Sequence, residues 1–208
     1  FRAGVASVKI TPEKKGLYLA GWGNNRAFTK VHDDIYARAL ALQRGDTTVV
    51  WVTLDLLGLM YPDVQEIRSR IEGVPPENIV ICATHVHSAP DVIGLWGPDK
   101  KTPGVEPKYR QFVKDRTVAA IKRALRDMKV ARIKLASTKA PPKCAKNFRN
   151  PSSIDTEISI LEVLNPAEEP IAVVVNWACH PECLDDHNLE LTSDYVHWLR
   201  QVVEKEVG

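Results

Sequence analysis

The chain alternates between short apolar runs and stretches rich in polar residues, glycine or proline, and several of the apolar runs come in pairs. In the first pair, residues 35–43 and 47–55 predict two strands, and Arg44-Gly45-Asp46 between them is a hairpin signal. The second of these strands is almost continuously apolar from residue 49 to 54, which predicts burial on both faces. Residues 78–83 form another apolar run behind a proline-rich turn and predict a further strand.

A second pair of apolar runs lies in the last third of the chain. Residues 155–164 and 171–178 predict two strands joined across the turn-forming residues 165–170. As in the first pair, an apolar strand is followed directly by polar residues of types that act in catalysis or metal binding. The two strand-turn-strand units therefore look similar, and we expect each to deliver functional side chains from a strand end.

Helical periodicity occurs at three places between and after these strands. Residues 62–71 place apolar side chains on one face, residues 106–128 carry one apolar stripe among Lys and Arg, and Ser193 is expected to cap a last helix. The pattern predicts the α/β class. We expect a layered α/β sandwich with mixed β-sheets flanked by helices, built from the two similar strand-turn-strand units.

The bulk composition is that of an ordinary globular chain. Its 208 residues are 44% hydrophobic and 26% charged, enough to build a substantial core. The longest apolar runs fall short of the roughly eighteen residues that a transmembrane helix needs. No signal-peptide core is visible, but the chain opens with Phe1 rather than Met, so a processed start stays open. The sequence therefore leaves the localisation unknown.

Charge is strongly polarised along the chain, although the net charge is only +2. Residues 100–150 hold sixteen Lys or Arg against three acids, whereas the residues after 150 hold two against twelve. One interpretation is two solvated faces of opposite sign. The other is that the basic stretch meets anionic lipid headgroups, or that the two halves meet each other or a partner segment. Nucleic acid is not an expected partner, because the basic residues are not interleaved with stacking aromatics.

Histidines directly follow two of the predicted strands. His85 and His87 come just after the apolar run 78–83, and alternate side chains of a strand share one face. His180 follows the last predicted strand in the same way. Two or three histidines from separate strand ends are a common ligand set for catalytic zinc. Asp55 also ends a buried strand, and we expect it to orient a ligand histidine or to cap the next turn.

A set of short motifs recurs in a fixed order along nearly the whole chain. The motifs are residues 3–12 (AGVASVKITP), 19–23 (LAGWG), 32–39 (HDDIYARA), 54–58 (LDLLG), 83–88 (ATHVHS), 178–181 (ACHP) and 193–195 (SDY). In this order they resemble the N-terminal part of the neutral/alkaline (non-lysosomal) ceramidase family. The resemblance implies an enzyme that hydrolyses the amide bond of ceramide-like sphingolipids with a single zinc ion.

The resemblance also implies roles for particular residues. It makes His85 and His180 the zinc ligands, and it implies that an Asn-Arg-type loop brings an arginine to the substrate, for which Arg149 is the candidate. The alternative is that Arg149 is an ordinary surface-loop arginine. The family's remaining ligands, a Glu and a Tyr, lie beyond the end of this chain. Within the chain, Glu182 or His87 would be the substitute third ligand.

Residues 1–208 are therefore expected to be the N-terminal portion of a single metal-dependent hydrolase catalytic domain, with the missing C-terminal part of the same protein as its partner. In this interpretation His87 binds the substrate or stabilises the developing oxyanion, and Arg149 holds a substrate oxygen. A lipid-like amide is the expected substrate, and a peripheral membrane contact is a further expectation. Two alternatives stay open: a related metal hydrolase that acts on another amide or ester, and a non-catalytic relative that binds a lipid or another ligand.

Overall fold

A computed structural model describes residues 1–207, and within this range the chain forms ten strands and three α-helices. The strands are β1 (Arg2–Lys9), β2 (Lys30–Val31), β3 (Tyr36–Arg44), β4 (Thr47–Leu54), β5 (Ile79–Ala83), β6 (Lys129–Val130), β7 (Arg132–Lys139), β8 (Glu157–Leu164), β9 (Pro170–Trp177) and β10 (Glu190–Leu191). The helices are α1 (Tyr61–Ser69), α2 (Pro107–Arg126) and α3 (Tyr195–Val207). This confirms the predicted α/β class with mixed sheets.

The largest sheet has five strands in the order β5-β4-β3-β1-β6. The predicted hairpin joins β3 and β4, and its Gly45 adopts a φ of 56°, which glycine reaches without a Cβ clash. Leu40 of β3 pairs with Val5 of β1 on one side and Trp51 of β4 on the other. The edge strand β5 runs parallel to β4, because α1 carries the chain back between them.

One face of this sheet packs against α2 and forms the main core. Val50 and Leu54 of β4 are fully buried in the same cluster as Ile121 of α2. On the opposite face of β4, Val49 is 36% exposed and Trp51 is half-buried. The prediction that β4 is buried on both faces is therefore wrong for residues 1–207, because the second face is only partly covered.

A three-stranded antiparallel sheet, in the order β7-β8-β9, partly covers that second face. A small core joins the two sheets through Ala3, Leu40, Ala131 and Val163. Beside it, an open cleft of about 550 Å³ lies between the five-stranded sheet, β9 and α3. Thr84 and Cys179 line this cleft, so it extends to the chain segments that carry the histidines.

The last helix is fixed to the large sheet by a buried ion pair. Asp55, which is fully buried, accepts hydrogen bonds from the backbone N–H of Tyr36 at 2.9 Å and from Nη1 of Arg200 at 2.7 Å. The prediction that Asp55 orients a histidine or caps a turn is wrong, because its carboxylate is taken by a cation on α3. None of the helices within residues 1–207 is both long and apolar enough to cross a membrane.

A second buried carboxylate organises the segment before α3. Asp33 accepts hydrogen bonds from the N–H and the hydroxyl of Ser193, from the hydroxyl of Thr192, and from Nδ1 of His32 at 2.9 Å. Burial alone would raise the pKa of Asp33, but these hydrogen bonds outweigh it and lower the pKa. Ser193 therefore does not cap α3 as expected, and the helix begins after Asp194, whose φ is 58°.

Candidate metal centre

His85 lies just beyond the end of β5, in a turn rather than in the strand. Its φ of 68° is in the left-handed region, so the strand alternation assumed from the sequence does not apply. Its backbone N–H donates to the carbonyl of Leu56 at 3.0 Å. Its Nδ1 lies 2.7 Å from the carbonyl oxygen of Leu57, which can only accept a hydrogen bond, so Nδ1 is the donor. The other ring nitrogen, Nε2, is left free to bind a metal.

His87 is buried against the glycine-rich loop near the start of the chain. A Cβ on Gly21 would come within 2.5 Å of ring atoms Cγ and Nδ1 of His87, and the Gly21 backbone has a φ of 103°. The ring of Trp22 meets the His87 ring edge to face at 5.4 Å. Burial, followed by the proximity of His180, lowers the pKa of His87 to about 4. The imidazole of His87 is therefore neutral near pH 7.

His180 follows β9, in a turn at the edge of the three-stranded sheet. Its Nδ1 lies 2.9 Å from Oε1 of Glu182, and Nδ1–H donates a hydrogen bond to the carboxylate. Such a carboxylate fixes the imidazole tautomer and directs Nε2 to the opposite side. The backbone N–H of His87 donates to the carbonyl of Pro181 at 3.3 Å, which joins the two histidine-bearing segments directly.

The three imidazoles converge on one point. The rings of His85 and His180 are stacked with centroids 4.8 Å apart, and the ring of His87 stands nearly perpendicular to His180 at 4.6 Å. Nε2 of His87 lies 2.9 Å from Nε2 of His180. One ligand atom from each histidine lies within 4.8 Å of the others. Three imidazole nitrogens from two separate segments fit the donor set of a catalytic zinc site.

The position of Glu182 argues against a direct metal contact. Its Oε1 contacts the outer nitrogen of His180, and its Oε2 is 3.8 Å from the buried Nδ1 of His87, which has no hydrogen-bond partner among the described residues. The carboxylate thus lies behind two of the imidazoles rather than at the point where their Nε2 atoms meet.

Arg149 is placed differently from the histidines. It lies on the exposed loop between β7 and β8, where its backbone N–H donates to Oδ1 of Asn147. Within residues 1–207 its side chain forms no hydrogen bond or ion pair with the three histidines. The same loop does approach the site, since the carbonyl oxygen of Cys144 lies 4.0 Å from Sγ of Cys179. A catalytic role for Arg149 stays a prediction.

Sequence reasoning missed two features around the site. The first is Arg26, a buried arginine that contacts the backbone of His87 and had no motif to reveal it. The second is a group of exposed residues, Asp185, Asp186 and His187, whose ligand atoms also lie close together.

Known proteins resemble this chain in sequence and in fold. The model of the family described as "Neutral/alkaline non-lysosomal ceramidase, N-terminal" matches residues 1–208. The crystal structure of neutral ceramidase from Pseudomonas aeruginosa superposes with a TM-score of 0.86 at 21% identity, covering 100% of this chain and 36% of that one. A structure titled "Ceramidase complexed with C2" gives a TM-score of 0.87 at 21% identity, covering 100% of this chain and 35% of that one.

No curated protein sequence matches the chain. At 21% identity, the likeness to the solved structures shows the fold alone. The chain spans about a third of the length of these structures.

Proposed function

The chain belongs to the neutral/alkaline non-lysosomal ceramidase family, and from this premise we propose that it forms part of a zinc-dependent amidohydrolase. The proposed reaction is cleavage of the N-acyl amide bond of ceramide-like sphingolipids to a sphingoid base and a fatty acid. Residues 1–208 are the N-terminal portion of the catalytic domain in this proposal. The likeness to solved structures about three times as long supports a contribution from the rest of the protein.

The convergence of three histidines carries the proposal. His85 and His180 each use Nδ1 for a hydrogen bond to a carbonyl or carboxylate oxygen, so both have Nε2 free for a metal. We assign these two histidines as zinc ligands. Zinc bound there would supply Lewis acidity to the amide carbonyl and lower the pKa of a water molecule towards neutrality.

His87 is the residue best placed to contact the substrate. Its imidazole is neutral near pH 7 and can donate from Nε2, so it can stabilise negative charge that develops on the amide oxygen. The same nitrogen faces His180 at 2.9 Å, so in the alternative tautomer, with the proton on Nδ1, His87 is a better candidate for a third ligand than Glu182. We assign Glu182 to holding the His180 ring.

The other groups that the reaction needs lie outside the histidine cluster. Arg149 is proposed to hold a substrate oxygen, because its loop contacts the segment next to His180 through Cys144 and Cys179. The further ligands and the general acid that an amide leaving group needs are assigned to the rest of the catalytic domain. A peripheral membrane contact of the basic region stays a prediction.

The test uses the full-length protein. Elemental analysis is expected to find one zinc ion per chain, and this zinc should be lost in His85→Ala and His180→Ala but kept in His187→Ala, whose side chain is 89% exposed. Hydrolysis is then compared between ceramide and simple N-acyl compounds or esters. Zinc with activity only on the simple compounds would indicate a related hydrolase. Absence of both zinc and activity would overturn the proposal in favour of a binding protein.

A further inference from the structure

Arg26 is a buried cation behind the candidate metal centre. It is 4% exposed, and no carboxylate of residues 1–207 lies within ion-pair distance of its guanidinium. Its contacts are to backbone carbonyls: Nη1 donates to His87 at 3.3 Å and Nη2 donates to Asn188 at 2.9 Å. Its Nε has no hydrogen-bond partner in the described part of the chain. Burial lowers the pKa of the Arg26 guanidinium by more than the nearby carboxylates of Asp186 and Asp185 raise it, so the buried charge is only partly compensated and calls for an explanation beyond stability.

The two carbonyls belong to the two segments that form the site. His87 itself supplies one, and Asn188 follows the segment that carries His180. The side chain of Asn188 extends the link, because its Nδ2 donates to the hydroxyl of Ser88 at 2.9 Å. The guanidinium of Arg26 therefore links the segment of His87 to the segment that follows His180 through two hydrogen bonds.

The loop that carries Arg26 is itself attached to the His87 segment. The N–H of Ala20 donates to the carbonyl of Ala89 at 2.9 Å, and the N–H of Asp91 donates to the carbonyl of Tyr18 at 2.7 Å. These bonds place the Gly21 backbone directly against the His87 ring, where only the absence of a Cβ allows the contact. Gly21 thus contacts the His87 ring, and Arg26 holds the His87 backbone through its carbonyl.

We infer that Arg26 and Gly21 form a clamp that fixes the imidazole of His87 in the site, with Arg26 as a positioning residue for the reaction. The inference rests on the proposed function only for the role of His87 in hydrolysis. The clamp itself is a property of the chain and can be tested without zinc or substrate.

The first experiment observes the clamp directly. The metal-free, full-length protein is prepared with ¹³C-labelled histidine rings, and each signal is assigned with a His→Ala variant. In Arg26→Gln, the ring signal of His87 is expected to shift and broaden, while that of His197 on α3 stays in place. Gly21→Ala is expected to disturb the same His87 signal by contact at the ring, with Arg26 intact. An unchanged His87 signal in both variants would overturn the inference.

The second experiment asks whether Arg26 acts through His87. Misplacement of a positioned group by about 1 Å can lower rates by about a hundredfold, so Arg26→Gln is expected to lower kcat for ceramide by about tenfold to a hundredfold. In a His87→Ala background the same substitution is expected to change kcat by less than about twofold, because the group it positions is gone. Equal effects in the two backgrounds would contradict the clamp.

The matched control is Arg68→Gln. Arg68 also donates to a backbone carbonyl, that of Ile79 at 2.9 Å, but at the far end of β5 from the histidines. It is expected to leave kcat unchanged in both backgrounds.

If Arg26→Gln melts below the assay temperature, Arg26→Lys, which keeps the charge but not the two-carbonyl bridge, replaces it in the same cycle. If the wild type shows no hydrolysis, the proposed function fails, and the histidine signals still decide on the clamp.

Discussion

Replacing Glu182 with glutamine is expected to weaken zinc binding by about tenfold. Oε1 of Glu182 lies 2.9 Å from Nδ1 of His180, on the opposite side of the ring from the Nε2 that meets His87. Loss of a carboxylate that orients a ligand histidine typically costs about tenfold to a hundredfold in metal affinity. The side chains of His180 and Glu182 are 45% and 34% exposed, so water replaces part of the interaction. We therefore expect the lower end of the range, about 1.4 kcal/mol.

The size of the effect separates two roles for Glu182. Zinc binding by a structural site is worth about 10–16 kcal/mol, and division among three or four ligands gives about 3–5 kcal/mol for each. A direct ligand would therefore account for about a hundredfold to a few thousandfold in affinity. The expected loss for a metal-binding carboxylate thus exceeds the tenfold loss for an orienting one by about one to two and a half orders of magnitude.

The assay is competition for zinc between the full-length protein and a chromophoric chelator, for the wild type and Glu182→Gln. Asp185→Asn is the matched control, because Asp185 is an exposed carboxylate in the same acidic loop that pairs with His187 rather than with the three histidines. It is expected to leave the affinity unchanged. A loss near a thousandfold in Glu182→Gln would show that Glu182 binds the metal. No loss at all would show that its contact with His180 does not support the site.

Three further outcomes follow from the buried and shielded groups of the chain. Arg200→Ala leaves the fully buried carboxylate of Asp55 without its cation and is expected to lower the free energy of unfolding in urea by about 3–5 kcal/mol. Glu204→Ala, which removes an exposed pair on the same helix, should cost less than about 1 kcal/mol, and equal losses would refute the buried-pair argument. Because the pKa of Asp33 is lowered in the folded state, its stabilisation is complete above about pH 4 and is lost as pH falls through the lower folded value. The free energy of unfolding of Asp33→Asn should therefore fall less steeply with decreasing pH below about pH 4 than that of the wild type. A parallel pH dependence in the two proteins would contradict this. Partial desolvation, followed by the neighbouring Asp194 carboxylate, raises the pKa of the Cys183 thiol to about 11 although the residue is exposed. Its alkylation by iodoacetamide, followed by mass spectrometry, should therefore keep accelerating up to that pH rather than level off near pH 9.

The elements of the fold were readable from local patterns, because each depends on residues close together in the sequence. The Arg44-Gly45-Asp46 turn identified the β3–β4 hairpin, and the apolar stripe of residues 106–128 identified α2. What local patterns could not show is which polar groups meet across the fold. Asp55 illustrates this, because its cationic partner, Arg200, is 145 residues away. The sequence predicts the helix that carries Arg200, but nothing in it links that arginine to Asp55.

The candidate site was found for a reason that is only partly right. Strand alternation predicted a shared face for His85 and His87, yet β5 ends at Ala83 and His85 turns through a positive φ. The rings still meet, with centroids 5.3 Å apart, because the turn after β5 is held by backbone hydrogen bonds to the segment after β4. Arg26 gave no signal at all, because a single arginine in a loop is ordinary until its burial is known.

The histidine cluster depends on how the two sheets pack together, and neither histidine motif forms it alone. His85 and His87 follow the edge strand of the five-stranded sheet, whereas His180 follows the edge strand of the three-stranded sheet. The two sheets share only a small core, so the distance between the histidines also depends on local links such as the His87–Pro181 backbone bond. A metal ion bound by histidines from both sheets would stabilise this arrangement, because binding to the folded state alone adds to its stability. Metal affinity and the packing of the two sheets are for this reason expected to rise and fall together.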